Sequence, residues 1–99
     1  MILTAEQIQA NWIEFNTNIE TYITGDRQLK LLNFYSKFED RIILMPAANN
    51  KKYHSAFPGG YVDHVNRVVK GALAMSDVWA SFGCDMTTFT QEELVFSAI

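Results

Sequence analysis

Lys51-Lys52-Tyr53-His54-Ser55-Ala56-Phe57-Pro58-Gly59-Gly60-Tyr61-Val62-Asp63-His64 is the stretch around which the chain is organised. It holds both histidines, one of the two prolines and an adjacent glycine pair, directly ahead of the most regular apolar stripe in the sequence. From there Tyr61, Val65, Val68, Ala72, Met75, Trp79 and Phe82 recur by four and three residues, the spacing of one helix face. Pro58 makes the preceding loop compact and the glycines make it permissive, so a tight turn feeds a helix over about 60–82. Gly83 follows as its stop. Gly71 inside the helix costs roughly 1 kcal/mol relative to alanine, and its presence points to close helix packing. Asp63 and Arg67 fall on the polar side as an i,i+4 pair.

Working outward toward the N-terminus, Thr4-Ala5-Glu6-Gln7 has the form of a capping box. Ile8, Trp12, Phe15, Ile19 and Tyr22 then mark one face of a helix over about 4–24, stopped at Thr24-Gly25. Asp26 can cap a second helix, over about 26–45, with Leu31, Tyr35, Phe38, Ile42 and Met45 as its stripe. Pro46 disfavours helical geometry at the residue before it and ends that helix. On the other side, Thr90-Gln91-Glu92-Glu93 is a second capping box and opens an apolar helix over about 90–99. Residues 94–99 are apolar enough that a partner is expected to cover them. With no strand-period segment, the expected fold is all-α: one domain, 1–99, of about four helices.

Composition narrows the function. The chain has 99 residues, 48% hydrophobic and 19% charged, which is globular rather than disordered. A net charge of −3 argues against a broad electrostatic footprint for duplex nucleic acid. The single Cys84 makes no intrachain disulfide. No secretory leader and no apolar run of membrane-spanning length is visible, so no membrane association and a cytoplasmic location are expected.

Chemistry-bearing residues are few. His64 lies at the edge of the stripe, beside the sector of Gly71, Met75 and Phe82. It suits either a core-edge histidine bonded to a carbonyl or a ligand aimed into a site. His54, Lys51 and Lys52 could supply positive charge near the glycine turn, where helix-start amides favour anions, or belong to an ordinary solvated loop. Glu39-Asp40 and Glu92-Glu93 are sequence neighbours that point to different sectors, and Cys84 lacks the surroundings of a reactive thiol.

Taken together, Lys51-x-x-His54-x-x-x-Pro58-Gly59-Gly60-Tyr61-x-x-His64-x-x-x-Val68-Val69 resembles the opening of HD-domain metal-dependent phosphohydrolases. It looks closest to the branch of 3′–5′ exoribonuclease-like and phage or plasmid HD proteins. The resemblance covers roughly residues 51–99. It implies an HD-domain-like fold, His64 as first metal ligand, and Lys52 and His54 near a phosphate or the metal. The family's ligand set continues with a His-Asp doublet and a distant Asp, and no such doublet follows His64. The expectation is therefore the N-terminal part of an HD-type phosphohydrolase or phosphodiesterase for a nucleotide or nucleic-acid phosphate. A divalent metal belongs to the complete parent, and none is expected in this chain, which is expected to be inactive. The alternative is a non-catalytic helical interaction module. In either case a homodimer or higher oligomer that buries residues 94–99 is expected.

Overall fold

A computed structural model describes residues 2–50 and 55–99. Among them the fold is all-helical, with α1 at Ala5–Tyr22, α2 at Gly25–Lys37, α3 at Glu39–Ile42, α4 at Gly60–Ser81 and α5 at Gln91–Ala98. Both capping boxes form: the Thr4 hydroxyl accepts from the Gln7 amide, and the Thr90 hydroxyl accepts from the Glu93 amide. Gly25 and Gly83 take left-handed backbone, with φ of 63° and 90°, at the two expected helix stops.

The core lies where α4 packs against α1 and α5. Trp12, Phe15 and Ile19 of α1, with Ile23 just past it, meet Val62, Val65 and Val69 of α4, Val95 of α5 and Ile42 of α3. Trp12 and Phe15 stack one turn apart with centroids at 5.6 Å, and Phe15 meets the α2 ring of Tyr35 edge-on at 4.8 Å. That edge contact is the main aromatic link between α1 and α2.

Several expectations are corrected. The single helix expected over 26–45 is broken at Phe38, where φ is −111° and ψ is 19°. Nothing in Ser36-Lys37-Phe38-Glu39 breaks a helix by itself. The cause is tertiary: the Gly59 and Tyr61 amides donate to the carbonyls of Leu44 and Met45, so the exit of α3 must lie beside the start of α4. Asp26 does not cap α2, which begins at Gly25; the residue before it, Thr24, turns its amide and hydroxyl to Glu92 instead, both at 2.7 Å.

The other corrections concern which surfaces are buried and which are open. The stripe expected to be buried in α4 faces outward in its second half, with Met75 51%, Trp79 46% and Phe82 74% exposed. Val62, Val65 and Val69 face inward instead, together with Asp63, which was expected on the solvent side. Nothing lies within 4 Å of the position a Gly71 side chain would take, so that glycine marks open surface rather than close packing. In the apolar segment 94–99, Val95 is 0% exposed and Ala98 and Ile99 pack on the core, while Phe96 stays 42% exposed.

Candidate functional site at the start of helix four

The glycine pair is dictated by packing. At Gly60 a Cβ would lie 2.0 Å from the backbone oxygen of Ser55, which no side chain could occupy. Gly59 has a φ of 81° and presses on the Ile8 side chain, where a Cβ would meet Cγ1 at 2.9 Å. Their amides are also committed. Gly59 donates to Leu44 at 3.1 Å, Gly60 to Phe57 at 2.8 Å and Tyr61 to Met45 at 2.9 Å. An anion arriving at this helix start therefore does not find these three donors free. The Ser55 carbonyl accepts from the Ala47 amide at 3.0 Å, closing the connector from below.

His64 sits half-buried in the next turn of α4, between two buried polar residues, Asp63 and Asn66. Asn66 donates to the Asn11 carbonyl at 2.9 Å, and the Asn11 side chain donates back to Asp63 Oδ1 at 3.2 Å. These reciprocal bonds fix both the rotation and the register of α4 on α1, and so the direction in which residue 64 leaves the helix. Arg67 Nε lies 3.1 Å from Asp63 Oδ2, an ion pair whose angle leaves that oxygen without an aligned hydrogen bond. Asp63 Oδ2, Asn66 Oδ1 and Ser55 Oγ are buried acceptors without a hydrogen-bond partner among the described residues. Asn66 Oδ1 and Ser55 Oγ each cost roughly 1–3 kcal/mol, while the ion pair to Arg67 offsets that cost at Asp63 Oδ2. Further along, Lys70 pairs with Glu14 of α1 at 2.8 Å.

Sequence reasoning does not single out Asn66 or Asn11, and it places Asp63 only as the solvent-side partner of Arg67. The available signal was Asn66 itself, a polar residue three positions from both Asp63 and Val69 on an otherwise apolar side. Lys52 and His54, the candidate phosphate contacts, lie outside the described residues. Among the described residues no group of three His, Cys, Asp or Glu side chains could hold a metal ion. The carboxylate nearest His64 in sequence, Asp63, is turned to Asn11 and Arg67. The described residues therefore do not make up a complete metal centre.

Hydrogen bonds from the Thr24 hydroxyl and amide hold the Glu92 carboxyl below the usual range, helped by Arg27 at 3.6 Å. Glu93 is lowered by its capping-box bonds to Thr90, and Asp85 by Thr87. Burial pushes the Tyr35 hydroxyl up, with Tyr61 adding to it. No helix among the described residues is long and apolar enough to cross a membrane. Compared with protein-family models, with curated proteins and with solved structures, the chain finds no match.

Proposed function

We propose that the chain supplies the first-histidine wall of an HD-type phosphohydrolase site for a nucleotide or nucleic-acid phosphate. The remaining ligands, a His-Asp doublet and a later Asp, would come from residues outside this sequence. The observation that carries the reading is the rigid seating of residue 64. The helix that bears it starts at a glycine turn that tolerates no side chain. It is then keyed to α1 by the buried Asn11, Asp63 and Asn66 bonds on both sides of the histidine. A ligand needs this kind of fixed direction from its supporting residues. The 99 residues alone are then inactive, since one imidazole does not make a hydrolytic metal site.

The test is the reading frame around this sequence. A polypeptide with a His-Asp doublet shortly after residue 99 should hydrolyse a phosphodiester reporter with added manganese and lose that activity in His64→Ala. A frame without such a doublet sinks the reading.

A second reading, a helical interaction module, is favoured by a separate observation. Met75, Val78, Trp79 and Phe82 form exposed apolar surface on one side of α4. In that reading the homo-oligomer is held by α4, and Val95, Ala98 and Ile99 belong to the core of each subunit. Size in solution, measured on the chain itself, tests it.

A further inference from the structure

The outer face of α4 has a self-matching order. His64, Val68, Gly71, Met75, Val78 and Phe82 follow one another by four, three, four, three and four residues. At about 100° per residue they share one side of the helix, roughly opposite Val62, Val69 and Leu73. Val68, Met75, Val78 and Phe82 are exposed, and the space above Gly71 is open. No charged residue belongs to this row, so covering it desolvates little polar surface. Reversed, its spacing is unchanged.

From this we infer that α4 is a self-association surface on which a second copy of the chain packs antiparallel. About a two-fold axis near Leu73, Val68 faces the partner's Val78, and Met75 enters the gap above the partner's Gly71. His64 then lies against the partner's Phe82. A parallel pair would set Gly71 against Gly71 and leave a void at its centre. The antiparallel order also sets the two helix dipoles in opposition. With Trp79 and Phe82 supplying large rings, the pair covers roughly 1,000 Å² in total, the lower bound for a specific interface. A dimer that forms at micromolar rather than nanomolar concentration is the consequence. The inference rests on the interaction-module reading and competes with the phosphohydrolase reading, in which His64 faces a metal rather than the partner's Phe82.

Sedimentation velocity on the full chain, from low micromolar to several hundred micromolar, tests it. The expected result is a concentration-dependent rise to the mass of two chains. Phe82→Glu should weaken this at least tenfold while helical circular dichroism is retained. If that variant loses its helicity, Met75→Lys carries the test instead. Phe96→Glu, on an exposed apolar residue of α5, should leave association intact. The His64 ring protons should shift upfield as the dimer forms, and Phe82→Leu should remove that shift. A monomer at every concentration, a Phe82→Glu or Met75→Lys variant that still pairs, or association abolished by Phe96→Glu would each overturn the proposal.

Discussion

At the scale of single residues, the start of α4 shows two glycine positions with opposite futures. Gly60→Ala forces a Cβ into the Ser55 carbonyl at 2.0 Å, and only a backbone shift relieves it. Its unfolding free energy should fall by more than about 3 kcal/mol, read from urea titration, unless the protein fails to fold. Gly71→Ala meets nothing within 4 Å and replaces a poor helix former on an exposed turn. It should stabilise the monomer by about 0.5–1 kcal/mol in the same assay. Asn66 is 2% exposed, and its amide satisfies the Asn11 carbonyl. Asn66→Ala removes this tie between α4 and α1 while the Asn11 carbonyl keeps its bond within α1, and should cost about 0.5–1.5 kcal/mol. The sequence made the glycine pair conspicuous but could not say why it was needed. Gly60 exists because of a carbonyl five residues earlier, and that contact belongs to the folded turn.

At the scale of elements, Glu92 joins three of them. It accepts from Thr24 at the α1–α2 corner, faces Arg27 of α2 and sits in the first turn of α5. Its folded pKa is depressed below the ordinary value of 4.5, so folding favours the ionised form. The stability this contributes is therefore full above about pH 4.5 and is lost as the pH falls through the lower, folded value. Glu92→Gln should lower the neutral plateau and flatten the acid side of the stability–pH curve, so that the two proteins converge at low pH, as urea midpoints at stepped pH would show. Capping boxes were fully legible, because Thr4 to Gln7 and Thr90 to Glu93 act within four residues. The break at Phe38 was not, because it answers to bonds between residues 44–45 and 59–61. The α4 stripe misled for a different reason. Two apolar rows, one through Val62, Val65 and Val69 and one through Val68, Met75 and Phe82, both have helical spacing. Periodicity alone does not choose between them; Asn66 bonding to Asn11 does.

At the scale of the whole molecule, the two tryptophans report on opposite surfaces. Trp12 is 6% exposed within the core and Trp79 is nearly half exposed. Acrylamide should quench native fluorescence in two classes, and Trp79→Phe should remove the accessible one. If α4 pairs with a second copy, that class becomes protected at high protein concentration. The helical class of the fold was legible from patterning throughout. The candidate site was legible only at His64, since its neighbours act across the α1–α4 contact. That contact has a kinetic side. The hydrogen bonds that key α4 to α1 join residues 52 and 55 positions apart, while α2, lying between them in sequence, has no buried residue of its own. Closing so long a loop comes before its reward, and α2 gains little from being in place early. In native-state amide exchange α2 should open well below the global unfolding free energy, while Val65 and Val69 exchange only when the whole chain unfolds. The molecule would then breathe through its second helix, with the first, fourth and fifth remaining as the slow-exchanging body.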